Sequence, residues 1–89
     1  MIQNAHMASS PIRTSGQLKA ILRTLRQTQG LNQAELGKKV GLSQERISAI
    51  ENHPERVTVD QLLTLVMALG AELSIQPRSR HAPDSSNAW

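Results

Sequence analysis

Residues 33–52 read QAELGKKVGLSQERISAIEN, and this stretch decides the fold. It holds two short amphipathic segments on either side of Gly41. The first, residues 33–40, follows Asn32, a good N-cap, with Glu35 three residues on as a capping-box partner. Leu36 and Val40 form its apolar face, and Lys38 and Lys39 occupy the last turn, where the helix dipole favours cations. Ser43 caps the second, residues 44–52. There only Ile47 and Ile50 are large and apolar, while Gln44, Glu45, Arg46, Ser48 and Glu51 are polar. So thin an anchor turns most of this helix outward. Two short helices joined by a tight glycine turn outline a helix-turn-helix. Its physical demands are met: a small residue at the crossing (Gly37), a residue tolerating positive φ in the turn (Gly41), and apolar bridges to supporting helices (Leu36, Val40, Leu42, Ile47, Ile50). In an ordinary αα-hairpin the polar face of the second segment would have no use.

Upstream, residues 15–29 carry Leu18, Ile21, Leu22 and Leu25 at i, i+3, i+4 and i+7, one face of a helix, with Lys19, Arg23 and Arg26 off that stripe. Ser15 is placed to cap this helix, and Gly30 suits the position just past its end. Downstream, Pro54 makes residues 52–56 a loop. Thr58 then caps a further helix, with Gln61 as partner in a T-x-x-Q box, and Leu62, Leu63, Leu65, Val66 and Leu69 make it the most apolar of all. Gly70 ends it. Ala71, Leu73 and Ile75 then alternate with Glu72, Ser74 and Gln76, the period of a strand. A lone strand leaves its backbone groups unsatisfied, which points to the same strand of a second copy.

The expected architecture is an all-α bundle of four to five helices followed by one short C-terminal strand that pairs across a dimer. Residues 1–14 read as a flexible lead in which His6-Met7-Ala8-Ser9 resembles an expression-vector scar. Residues 15–70 are the helix-turn-helix domain, 71–77 the dimerisation strand, and 78–89 a disordered tail with two prolines and three serines among residues 77–89. Leu65, Val66, Leu69, Leu73 and Ile75 are the expected dimer residues, since the last helix carries more apolar side chains than a three-helix core needs.

With 89 residues the chain makes one domain at most. The absence of cysteine excludes a disulfide framework, thiol catalysis and a Cys-based zinc site. His6, His53 and His81 are scattered and form no pair at metal-ligand spacing, so neither metal nor cofactor is expected. No nucleophile–base pair suggests an enzyme. No apolar run approaches the roughly 20 residues of a membrane span, and the N-terminus lacks the pattern of a secretory signal, so a cytoplasmic protein is expected. The net charge of +3 is mild, but it is unevenly placed. Residues 12–57 hold eight Lys/Arg against four Asp/Glu, so the basic excess falls on the helix-turn-helix. There is no Phe or Tyr, so the core is aliphatic and small, and a second copy would help to bury it.

The segments Gln33-Ala34-Glu35-Leu36, Val40-Gly41-Leu42-Ser43-Gln44, Ile47-Ser48 and Ile50-Glu51-Asn52 resemble the phage-repressor (Cro/cI, XRE) class with its lambda-repressor-like fold. The likeness spans residues 15–70. With the Pro54 loop, the strand after the last helix and a tail ending in Trp89, the chain further resembles the HipB-like antitoxins, DNA-binding partners of HipA-like serine/threonine kinase toxins. The resemblance implies a homodimeric repressor that autoregulates its operon from a near-palindromic operator. It implies that residues 44–52 enter the major groove, with Ser43, Gln44, Glu45 and Ser48 reading bases. Gln33, Lys38, Lys39, Arg46 and Arg56 would hold phosphates, while Glu51 would pair structurally with Arg46 or Arg56. Arg23 and Arg26 would face away from DNA. Trp89 would engage the toxin or mark the tail for proteolysis, since exposed Trp favours burial in a partner pocket. A stand-alone repressor, the antitoxin of an unrelated toxin, and a helical adaptor that binds protein only are the alternatives.

Overall fold

The computed structural model describes residues 10–78; the scar-like lead segment and Trp89 lie outside the described residues. Four α-helices follow in order: α1 (Ser15–Thr28), α2 (Gln33–Val40), α3 (Gln44–Asn52) and α4 (Val59–Ala68), with a 3₁₀ turn at Pro54–Arg56 between the last two. The local signals account for the boundaries. Asn32 and Glu35 form a reciprocal capping box at α2, and the Ser43 hydroxyl accepts from the Arg46 amide at α3. Gly41 closes α2 at φ 76°, a left-handed conformation that only glycine adopts without strain.

Two capping expectations are corrected. The N-cap of α1 is Thr14 rather than Ser15. Thr14 is extended (φ −140°, ψ 158°), its hydroxyl accepts from the Gln17 amide, and Gln17 returns the bond to the Thr14 N–H. A T-x-x-Q box therefore sits one residue upstream of the expected cap. At α4 the box is only half made: Thr58 Oγ1 accepts from Gln61 N at 3.1 Å, but the Gln61 side chain bonds elsewhere.

The core draws one buried apolar side chain each from α1 (Leu22) and α2 (Leu36), two from α3 (Ile47, Ile50), two from α4 (Leu65, Val66) and one from its C-cap (Leu69). Burying each such side chain contributes about 1.5–3 kcal/mol relative to exposure. This corrects the expected dimer surface. Leu65, Val66 and Leu69 are at most 3% exposed within a single chain, so they are unavailable to a second copy. The reason is rotational: α4 is apolar around most of its circumference, and the stripe through Leu65, Val66 and Leu69 is the one that meets the other helices. An adjoining stripe, Val59, Leu63 and Met67 at i, i+4 and i+8, is exposed. Leu73 and Ile75 are exposed as well, Ile75 fully. Residues 71–78 form no strand in the single chain, and no strand occurs among the described residues.

Candidate nucleic-acid interface

α2 and α3 cross at Gly37. The Gly37 carbonyl accepts from Leu42 N at 2.8 Å, and a Cβ at Gly37 would collide with the carbonyl oxygen of Leu42 and lie 3.3 Å from its carbon. Backbone meets backbone here, so the interhelical angle depends on the missing side chain. Gly41 then turns the chain, and α3 begins two residues after Leu42.

Helical geometry advances about 100° per residue. With Ile47, Ile50 and Glu51 buried, Glu45, Ala49 and Asn52 project outward, Gln44 and Ser48 occupy one flank, and Arg46 the other. The Gln44 flank looks toward the N-terminus of α2. There an open depression of about 360 Å³ is lined by Arg26, Asn32, Gln33, Ala34 and Gln44. The structure thus brings together two of the expected site residues, Gln33 and Gln44, at one rim of the outward face. Ser43 has its hydroxyl oxygen engaged by Arg46 N at 3.0 Å, and Ser48 Oγ accepts from Asn52 Nδ2 at 3.4 Å. Each serine keeps its O–H hydrogen for donation. Glu45 is exposed at the start of the helix.

Beneath this surface lies a buried ion pair. Arg26 Nε donates to Glu51 Oε2 at 2.6 Å and Nη2 to Oε1 at 3.2 Å, while Nη1 donates to the Leu31 carbonyl at 3.0 Å. Gln33 Nε2 adds a further bond to Glu51 Oε1 at 3.1 Å. The Glu51 side chain is 1% exposed and that of Arg26 11%. Glu51 is therefore structural, as expected, but its partner is Arg26 and neither Arg46 nor Arg56. The physical reason is that α1 packs across the inner side of α3, whereas Arg46 stands on the outer flank and Arg56 is exposed in the 3₁₀ turn. The network also holds Gln33. One amide hydrogen is committed to Glu51 and the other remains for a ligand at the start of α2, where free backbone N–H groups and the helix dipole favour an anion.

The remaining cations occupy separate places. Arg46 Nη2 donates to Gln61 Oε1 of α4 at 2.6 Å. Lys38 and Lys39 are exposed in the last turn of α2, and Arg56 is exposed beyond α3. Beside Arg56, Glu55 is held below the usual carboxylate range, chiefly by a backbone hydrogen bond and then by the ring of His53 at 3.2 Å. Three further residues shape this site beyond the roles that the sequence suggests for them. Ala49 places a small apolar group at the centre of the outward face. Gln61 bonds Arg46 and does not complete its cap. Arg26 turns inward to Glu51: it stands four residues after Leu22 and one after Leu25, and that i, i+4 spacing is the signal that marks it.

A glycine-crossed helix pair presenting a polar helix over a buried ion pair defines a helix-turn-helix protein. The Helix-turn-helix family matches residues 22–76, and the chain belongs to that family. Among individual proteins, it is similar to Antitoxin HipB of Escherichia coli K12, with 29% identity over 80 residues covering 90% of this chain and 91% of that protein. Antitoxin HipB of Escherichia coli O6:H1 is 26% identical over 80 residues, covering 90% and 85%. Of solved structures, a HipB-O4 20mer complex superposes at TM-score 0.72 with 28% identity, covering 80% of this chain and 100% of that one. A HipA-HipB-O2-O3 complex gives the same TM-score, identity and coverage. No helix among the described residues is long and apolar enough to cross a membrane.

Proposed function

We propose that the chain is a sequence-specific DNA-binding repressor that serves as the antitoxin of a HipA-like serine/threonine kinase and autoregulates its operon. The observation that carries this is the outward polar face of α3 set beside the N-terminus of α2, on a backbone similar over 80% of the chain to HipB in the HipB-O4 20mer and HipA-HipB-O2-O3 complexes. In use, α3 lies in the major groove. Gln44 pairs with adenine, Glu45 accepts from cytosine, Ser43 and Ser48 donate to either, and Ala49 offers its methyl to thymine. Gln33 holds a phosphate at the N-terminus of α2, while Lys38, Lys39, Arg46 and Arg56 supply further phosphate attraction. The role is one of binding, without catalysis of its own, exercised in the cytoplasm at the nucleoid.

One α3 spans only a few base pairs, so two copies on a near-palindromic operator are required for useful specificity. The second copy covers the exposed stripe Val59, Leu63 and Met67, with Leu73 and Ile75 pairing as strands across the two-fold axis. Trp89 is the handle that the kinase buries. The test has two parts: footprinting on the DNA upstream of the gene, and co-purification with the product of the adjacent gene. A footprint with a two-fold pattern and capture of a kinase are expected. A footprint without kinase capture leaves a stand-alone repressor or the antitoxin of another toxin. No footprint at any salt concentration overturns the DNA-binding role.

A further inference from the structure

Two N-terminal boxes in this chain close reciprocally, Thr14 with Gln17 and Asn32 with Glu35. The third has the residues to do so and does not. Gln61 N donates to Thr58 Oγ1, but the Gln61 side chain turns away from its own helix start and accepts from Arg46 Nη2 at 2.6 Å. The diverted side chain links α3 to the first turn of α4, and no other side-chain hydrogen bond between these helices is present among the described residues. Arg46 stands on the flank of α3 opposite Gln44, so this link draws the guanidinium away from the outward face and toward the rim formed by α4. Asp60 in that turn is exposed and offsets the positive end of α4, so the fixed cation at this point of the rim is the guanidinium of Arg46.

Resting on the DNA-binding role proposed above, we infer that Gln61 is a positioning residue: it holds Arg46 against one phosphate at the rim opposite the Gln33 rim, rather than over a base edge. The guanidinium has five N–H donors in a fixed fork. With one donated to Gln61, the rest are oriented before DNA arrives, so less side-chain freedom is lost on binding. The two rims then clamp the groove edges, Gln33 on one and Arg46 on the other, and α3 is registered between them.

The test is ethylation interference and titration on the DNA upstream of the gene, using full-length wild type, Gln61→Ala, Arg46→Ala, the double variant and Gln33→Ala, with each variant's melting temperature measured alongside. Gln61→Ala and Arg46→Ala are expected to lose sensitivity at the same phosphate, while Gln33→Ala loses it at a different one. Each should weaken binding about three- to tenfold, the double variant should bind no more weakly than Arg46→Ala, and Arg46→Ala should reduce the slope of log affinity against log salt by about one. A merely structural Gln61 would lower the melting temperature and weaken all phosphate contacts alike. That pattern, additive losses in the double variant, or a Gln61→Ala footprint identical to wild type overturns the positioning role. If wild type itself leaves no footprint, the DNA-binding role fails first.

Discussion

Arg26 and Glu51 meet through two hydrogen bonds, 2.6 and 3.2 Å, with almost no access to solvent, and join α1 to the helix that presents the polar face. Twenty-five residues separate them in sequence. The pair satisfies both carboxylate oxygens and, through Gln33, reaches the start of α2. It locks the helix-turn-helix unit onto its supporting helix.

Breaking this pair from one side leaves a buried charge uncompensated. Glu51→Ala is expected to cost about 3–5 kcal/mol, a large part of the stability of a domain this small. Arg26→Met combined with Glu51→Leu should cost far less, because no charge is stranded. Urea denaturation of the three proteins checks this, and equal losses in the single and double variants would contradict it.

The two helical glycines have opposite expected signs. Gly37→Ala places a methyl into the Leu42 carbonyl and should destabilise by about 1–3 kcal/mol while weakening operator binding through the altered crossing. A Cβ at Gly16 meets nothing closer than Thr14 Oγ1 at 3.8 Å, so Gly16→Ala should stabilise by up to about 1 kcal/mol. Thermal unfolding of both variants reads the signs directly.

Base reading and phosphate holding separate by specificity. Gln44→Ala should relax preference at one base pair, with a loss of about 1–3 kcal/mol on the preferred sequence. Lys38→Ala should weaken binding to all sequences alike. Titration against a set of single-base operator variants distinguishes them, and identical profiles for the two would sink the groove assignment.

The two stripes of α4 should respond differently. Met67→Asp, on the exposed stripe, should yield a folded monomer with weakened operator binding. Leu65→Ala, in the core, should instead lose about 2–5 kcal/mol of folding stability. Sedimentation with parallel circular dichroism separates these outcomes; an unchanged oligomeric state for Met67→Asp would rule out that stripe as the contact between copies.

Much of the architecture is legible in the chain itself, because its signals are local. A cap and its partner lie three residues apart, a helix stripe repeats every three to four, and a left-handed turn calls for glycine at one position. Residues 33–52 therefore give both helices, the turn at Gly41 and the crossing at Gly37, and the thin apolar anchor of α3 already turns its polar face outward. Where local signals compete they mislead: Thr14 and Ser15 are adjacent capping residues, and only the reciprocal bond with Gln17 selects Thr14.

Only the tertiary structure decided which side chains meet across distance. Glu51 has several arginines as prospective partners in the sequence, and the packing of α1 against α3 selects Arg26. Gln61 has a cap within reach and an arginine on another helix, and the approach of α3 to α4 selects Arg46. The apolar residues of α4 fill two stripes, and the seating of that helix sends Leu65, Val66 and Leu69 inward while leaving Val59, Leu63 and Met67 outside. In each case periodicity names the residues able to be buried or bonded. The choice among them depends on how each helix is rotated and placed against its neighbours, a property of the packed molecule and not of any short segment.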